Sequence, residues 1–134
     1  MINLGFEIYE LRFKMNSLEL KNRTKKFAIN TIKFTEALKP TYANIIIIKQ
    51  IIRASTSVGA NYRSALRGKS NPDFINKINI VQEEADECIY WFELLKETNP
   101  KMQDLEILLK EANELTAIFT AILKTLKIKN ITRK

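Results

Sequence analysis

The apolar residues of segment 72–97 recur at alternating steps of four and three. This spacing places them on one face of an α-helix, whereas a strand requires alternation at every second residue. They are Phe74, Ile78, Val81, Ala85, Cys88, Phe92 and Leu95. A helix of this length gains most of its stability by packing that face against other elements. The pattern therefore predicts a helical bundle.

Three other segments carry apolar stripes with the same spacing. The predicted helices span about 17–38, 41–67, 72–97 and 100–126. Only three glycines and three prolines occur in 134 residues, too few for a β-fold rich in tight turns. Four long helices joined by short loops predict an all-α, antiparallel up-down-up-down four-helix bundle with a single domain.

Prolines and glycines predict where the helices end. Pro40 disfavours helix at the residue before it and ends helix 1. Gly68 predicts a left-handed stop for helix 2. Asn71 predicts an N-cap for helix 3, with Pro72 at the first helical position. Asn99–Pro100 predicts the same arrangement at the start of helix 4.

Small side chains dominate residues 54–60 within helix 2, and Gly59 is among them. A glycine inside a helix costs roughly 1 kcal/mol relative to alanine, so it needs a reason to be there. Close packing against another helix is the favoured interpretation, and close approach of a ligand is the alternative.

The two termini fall outside the periodic pattern. Residues 1–14 carry no cap and no matched stripe, which predicts a poorly ordered extension before a bundle at 15–128. Residues 129–134 predict a basic tail. Translation from Met1 and translation from Met15 are both compatible with this division. We expect a cytoplasmic protein without a membrane partner, because apolar runs are short and the first residues lack the order of a signal peptide.

Several chemistries lack their usual residues. The chain has no histidine, and Cys88 is its single cysteine and falls on the core stripe. The carboxylates of helix 3 scatter around the helix and lack the inward Glu-x-x-His of di-iron bundles. No nucleophile–base pair is evident either. We therefore expect no enzyme, no cofactor and no metal.

The charges are segregated along the chain. The whole protein carries a net charge of +7, but residues 72–100 hold seven acids against two lysines. Residues 41–71 contain five cations and no acids: Lys49, Arg53, Arg63, Arg67 and Lys69. The first four of these lie within about 40° of one line on helix 2, over roughly 27 Å. Two interpretations stay open, a track for nucleic-acid phosphates and a contact with acidic helix 3 of another subunit.

Helix 3 has a second seam beside its core stripe. It consists of Ile80, Glu84, Glu87, Trp91 and Leu94. Soluble monomers rarely leave such an apolar seam uncovered, so we predict that these residues form the interface of a ring-shaped homo-oligomer. The alternative is a broad core that encloses Trp91 within the monomer.

Residues 57–78 read SVGANYRSALRGKSNPDFINKI, and residues 83–97 read EEADECIYWFELLKE. Together they resemble the small four-helix bundle proteins called ribosomal-RNA intervening-sequence proteins. The matching positions are Ser57, Gly59, Ala60, Asn61, Ser70, Asp73, Phe74, Glu84, Ala85, Glu87, Tyr90, Trp91 and Leu94. Ser64 departs from the acidic residue, and Phe92 from the leucine, that are frequent in the most similar subgroup.

The resemblance implies a homopentamer of bundles. It also implies kinship with the basic pentameric accessory protein of diversity-generating retroelements, which works with a reverse transcriptase and its RNA. It brings no catalytic residue.

We accordingly predict a non-enzymatic oligomeric bundle that binds RNA or another nucleic acid through the basic face of helix 2. No aromatic side chain interleaves the basic line, so sequence-specific single-strand recognition is not supported. The alternative is a structural scaffold or an adaptor for a protein partner.

Overall fold

The computed structural model describes the backbone of residues 4–132 and the side chains of residues 17–129. Its four helices are α1 (Leu4–Glu36), α2 (Tyr42–Leu66), α3 (Asn71–Thr98) and α4 (Asp104–Thr132). Each helix packs against the next in the chain, and α4 returns to α1. No strand occurs in the described range 4–132. The prediction of a single all-α, up-down-up-down four-helix bundle is confirmed.

The core consists of the predicted stripes. In α3, Ile78, Val81 and Ala85 are fully buried, and Phe74 is only partly buried. Aromatic pairs join helices across the core: Phe27 meets Phe92 edge-on at 6.2 Å between ring centroids, and Tyr62 meets Phe119 at 5.3 Å. The core thus draws on side chains from all four helices.

Cys88 is fully buried in this core. Burial raises the pKa of its thiol to about 12, and the nearby charge of Glu84 adds to the shift. The thiol is therefore protonated at neutral pH and acts as a packed apolar group, as its position on the core stripe predicts.

The inner face of α2 comes close to α1 at Gly59. A Cβ atom placed on this buried glycine would lie 3.3 Å from Oγ1 of the buried Thr24. That distance is shorter than an ordinary van der Waals contact, so a larger residue would push the helices apart. The packing interpretation of the glycine is confirmed.

The prediction of a left-handed stop at Gly68 is wrong, because no glycine in the described residues has a positive φ. The last turn of α2 tightens instead: the N–H of Arg67 bonds to the Ser64 carbonyl at 3.2 Å, and that of Gly68 to the Ala65 carbonyl at 3.0 Å. A Cβ on Gly68 would lie 3.0 Å from the Ala65 oxygen, so the glycine serves close approach.

Two predicted caps are also wrong. Ser70, rather than Asn71, caps α3, and its Oγ accepts the Asp73 N–H at 3.2 Å. Serine and asparagine are equally good caps, so composition could not separate these neighbours. Asn99 ends α3 instead of starting the next helix. Its side chain is used in a reciprocal pair with the buried Asn44, with both N–O distances at 3.2 Å, which ties the amino end of α2 to the carboxyl end of α3.

The terminal helices extend beyond their predicted limits. The backbone of α1 begins at Leu4 and is continuous with the bundle, and α4 continues to Thr132. Residues 1–3 and 133–134, and the side chains of residues 4–16 and 130–132, lie outside the description. The prediction that residues 1–14 are poorly ordered therefore stays a prediction, as does the prediction for the basic tail.

None of the four helices, over the residues described, is both long enough and apolar enough to cross a lipid bilayer.

Candidate nucleic-acid interface

The predicted basic line and the predicted interface seam lie on one surface, formed by α2 and α3 side by side. Three features mark positions along its length. The Asn44–Asn99 pair joins the two helices beneath one end, an ion-pair cluster around Arg53 lies in the middle, and a groove lies at the α2–α3 turn. We call this surface the outer α2–α3 face. Its charges are distributed unevenly between the two ends.

Arg53 lies in the middle of this face and forms ion pairs with carboxylates of the same chain. Its Nη1 donates to Oε2 of Glu84 at 3.1 Å, and its Nη2 donates to Oε2 of Glu87. The same Glu87 oxygen accepts the indole N–H of Trp91 at 2.9 Å, and Gln50 accepts from Nε of the arginine at 3.2 Å. We call Arg53, Glu84, Glu87 and Trp91 the central clamp. The attraction between basic helix 2 and acidic helix 3 that the sequence suggested between subunits is made here inside one subunit.

A groove of about 680 Å³ lies between the last turns of α2 and the first turns of α3. Its lining residues are Ala60, Arg63, Ser64, Arg67, Gly68, Lys69, Asp73, Asn76, Lys77 and Ile80. Four are cations and one is a carboxylate, which leaves a net charge of +3. We call this the basic groove.

The four cations of the basic groove form no ion pair with any described side chain. Among the side chains of residues 17–129, ion pairs within 4 Å involve Arg23, Arg53 and Lys96, and none involves a cation of the groove. Arg63 and Lys77 are half-buried, whereas Arg67 and Lys69 are exposed. Uncompensated cations that converge on a concave surface concentrate positive potential there.

Local sequence builds this groove. Arg63 and Arg67 are four residues apart and share one side of the last two turns of α2. Gly68 brings the chain close to α2, and the Ser70 cap then starts α3 at once. The short turn places Lys77, two turns into α3, opposite the arginines.

Lys77 is the cation that sequence reasoning missed. It belongs to segment 72–100, in which acidic residues outnumber lysines, so the sequence groups it with those acids rather than with the arginines of α2. An antiparallel hairpin brings the first turns of α3 beside the last turns of α2, so this pairing could have been anticipated from the predicted turn.

Lys49 is exposed on α2 but lies away from the groove, towards the opposite end of the face. That end is apolar: Tyr42 is 85% exposed, Ile46 48% and Ile45 43%. The structure thus divides the five predicted nucleic-acid contacts. Arg63, Arg67 and Lys69 lie together, Arg53 is paired in the clamp, and Lys49 stands apart.

The predicted subunit-interface residues are divided as well. Ile80 lines the basic groove, and Glu84 and Glu87 belong to the clamp. Trp91 packs partly against the core and meets the exposed Tyr90 edge-on at 5.1 Å, while Leu94 is half-buried. The indole is thus neither fully enclosed nor free, and its place in a subunit interface stays a prediction.

A second ion-pair cluster joins α1 to α4. The guanidinium of Arg23 donates from Nε to Glu111 at 2.8 Å and also reaches Glu114. The hydrogen bond to Glu111 is the largest cause that raises the pKa of Arg23 above its ordinary value, and the hydrogen bond to Glu114 adds to it. Within the part of the chain that is described, no group of three histidine, cysteine or carboxylate side chains could hold a metal ion.

Comparison with known proteins agrees with this architecture. The model of the family described as 23S rRNA-intervening sequence protein matches residues 16–121. A crystal structure of a protein with unknown function from the S23 ribosomal protein family of Bacteroides thetaiotaomicron VPI-5482 is similar, with a TM-score of 0.73 and 33% sequence identity. The similarity covers 81% of this chain and 97% of that one. A search of curated proteins found no match.

The matched region contains the described lining of the basic groove, the central clamp and core residues from all four helices, and together these findings show that the chain belongs to the 23S rRNA-intervening sequence protein family.

Proposed function

We propose that this protein is a non-enzymatic, oligomeric nucleic-acid-binding module, and that it holds RNA phosphates in the basic groove. The observation that carries the proposal is the convergence of Arg63, Arg67, Lys69 and Lys77, without ion pairs, on one groove. Contacts between cations and phosphates supply most of the affinity of sequence-independent nucleic-acid binding. Arginine suits this role because its planar guanidinium can donate two parallel hydrogen bonds to one phosphate.

The contrast with Arg53 supports this placement. A cation already paired with two carboxylates gains less from a phosphate, because binding would have to break its existing contacts or leave carboxylates beside the phosphate. Among the described residues that line the groove, Asp73 is the one carboxylate that could compete with a phosphate. We therefore assign nucleic-acid contact to the groove, with Lys49 as a peripheral contact and Arg53 as a structural residue.

The test is a salt titration of binding to a structured RNA. Replacing two phosphate contacts, Arg63→Gln with Arg67→Gln, should weaken binding and lower the log–log salt slope by roughly 1.4 to 1.8. The matched control is Lys25→Gln with Lys26→Gln, which removes the same charge from exposed positions on α1. The control should leave the slope close to that of the unchanged protein.

Equal slopes for the two double variants would show that net charge, not the groove, drives binding. Failure of the unchanged protein to bind RNA at low salt would refute the proposal as a whole. Circular dichroism and light scattering on each variant verify that helicity and mass are retained.

A structural scaffold is the second candidate function. It is favoured by the exposed apolar end of the outer α2–α3 face, where Tyr42 is followed one turn later by Ile45 and Ile46. A cluster of large exposed apolar side chains commonly marks a protein contact. We propose that this end, together with Trp91 and Leu94, joins subunits of a homo-oligomer, with five subunits as the expected number. This version does not require Arg53 to pair with a neighbouring subunit.

A further inference from the structure

Among the residues whose side chains are described, 17–129, none that lines the basic groove is aromatic. None of its ten lining residues is Phe, Tyr or Trp, and its apolar surface comes from Ala60 and Ile80. Of the exposed aromatic residues, Tyr42 lies at the opposite end of α2, and Tyr90 lies beside Trp91 of the central clamp. Tyr42 and Arg63 are separated by roughly 30 Å along α2.

This separation bears on the class of nucleic acid. Proteins that bind single strands combine a basic track with aromatic platforms on which the bases stack, and stacking contributes much of the affinity. A flexible strand must also be ordered when it binds, which reduces the affinity further. Among the described side chains, 17–129, those that line the groove offer cations for phosphates and no aromatic platform for the attached bases.

Double-helical RNA does not need such a platform. Its bases are already stacked inside the helix, and its phosphates are held in regular rows before the protein arrives. The groove is bordered on both sides by helix, with Arg63 on α2, Arg67 at the C-cap of α2 and Lys77 on α3. The helices therefore fix the backbone positions of these three cations, which face a ligand whose phosphates are also ordered.

We infer that the basic groove selects the phosphate backbone of double-helical RNA over single-stranded RNA. The inference rests on the proposed function and adds the structural class of the ligand. Arg63, Arg67, Lys69 and Lys77 bind the phosphates without reading bases, so selectivity for sequence is weak and selectivity for shape is strong.

The experiment compares a hairpin RNA with an unstructured oligouridylate of the same number of phosphates, titrated with the full-length protein at one salt concentration. The hairpin should bind about tenfold more tightly, because the flexible single strand must be ordered on binding and gains no base stacking that would offset this cost. Lys77→Gln should weaken hairpin binding, whereas Lys110→Gln, an exposed lysine on α4, should not.

The outcomes separate this inference from the proposed function. Equal or tighter binding of the oligouridylate would overturn the inference and leave RNA binding itself in place. Hairpin preference that persists undiminished in Lys77→Gln combined with Arg67→Gln would place the duplex-binding surface elsewhere and would also overturn it. Absence of binding to both RNAs would refute the proposed function together with the inference.

Discussion

The two ends of the outer α2–α3 face expose different kinds of side chain. At the end near the Asn44–Asn99 pair, α2 exposes Tyr42 and Ile46. At the other end, the same side of the same helix exposes Arg63 and Arg67 to a groove. The central clamp separates them. One amphipathic helix therefore presents an apolar surface and a basic surface in succession on the side that does not enter the core.

This difference teaches that a line of charges on a helix need not act as one site. Arg53 lies on the same line as Arg63 and Arg67, but it forms ion pairs with two carboxylates of α3. Arg63 and Arg67 form no ion pair within 4 Å with a described side chain. The positions of carboxylates on α3 determine which cations of α2 remain available to bind a ligand. If the apolar end joins subunits and the basic end holds RNA, the clamp fixes their spacing, and assembly multiplies the basic groove without covering it.

The largest expected effect concerns the apolar end. Ile46→Lys should dissociate the oligomer, because it puts a charge into the proposed apolar contact while removing no core side chain; Ile46 is 48% exposed. Light scattering measures the mass. Arg67→Gln, at the basic end, is the matched comparison and should leave the mass unchanged.

A monomeric unchanged protein, or an oligomer that tolerates both substitutions, would refute the assignment of the apolar end to subunit contact. Trp91→Lys is a less specific variant, because Trp91 also packs on the core and bonds to Glu87.

The second prediction concerns the inner face of α2, on which the geometry of both ends depends. Gly59→Leu should lower the free energy of unfolding by about 1–3 kcal/mol, because Thr24 lies 3.3 Å from the position of the new Cβ. Chemical denaturation measures the loss. Ala60→Leu, one residue further on the exposed side of α2, is the control and should change stability little. Equal effects at the two positions would contradict the close approach of α1 and α2.

The third prediction concerns pH and the core beneath the clamp. The pKa of Cys88 is about 12 in the folded protein against an ordinary value of 9.0, so the unfolded chain loses its thiol proton first. The contribution of this thiol to the free energy of unfolding is fully present below pH 9. It falls as the pH rises towards 12, by up to about 1.4 kcal/mol per pH unit. Denaturation at pH 8 and pH 10 should show the loss.

Cys88→Ala is the control for this pH dependence. Because the variant is less stable at every pH, the quantity to compare is the change in free energy of unfolding between pH 8 and pH 10 in each protein. It should retain a smaller decline, since burial also raises the pKa of Tyr62 from 10.0 to about 12. An identical decline in both proteins would show that the thiol contributes nothing to it.

The smallest expected effect is a difference in stability between a variant of the central clamp and a variant of the basic end. Arg53→Gln should destabilise the fold by about 0.5–1 kcal/mol, because it removes partly exposed ion pairs to Glu84 and Glu87. Arg67→Gln should change stability by less than about 0.5 kcal/mol, because the residue is exposed and unpaired. Thermal melts of the two variants at equal concentration compare them. A larger loss for Arg67→Gln would reverse the division of roles proposed here.

The sequence by itself determined the helices, their order and their inward faces. Steps of four and three residues select one side of a helix, so the stripe from Phe74 to Leu95 could be identified before its partners were known. Gly59 also indicated close packing, because an internal glycine is costly without it. Cap positions were predicted less well, since Ser70 and Asn71 have similar capping propensities and only backbone geometry distinguishes them.

Only the tertiary structure decided what each surface charge does. Sequence spacing put Arg53, Arg63 and Arg67 on one line but gave no distance to residues of α3. Packing of α2 against α3 brought Glu84 and Glu87 to Arg53, and the turn at Gly68 brought Lys77 to the arginines. Electrostatic interactions depend on separation in space and on burial, neither of which is local in sequence. The physical reason is thus the same for the clamp and the groove: helical periodicity is a local property of the chain, whereas charge pairing belongs to the assembled bundle.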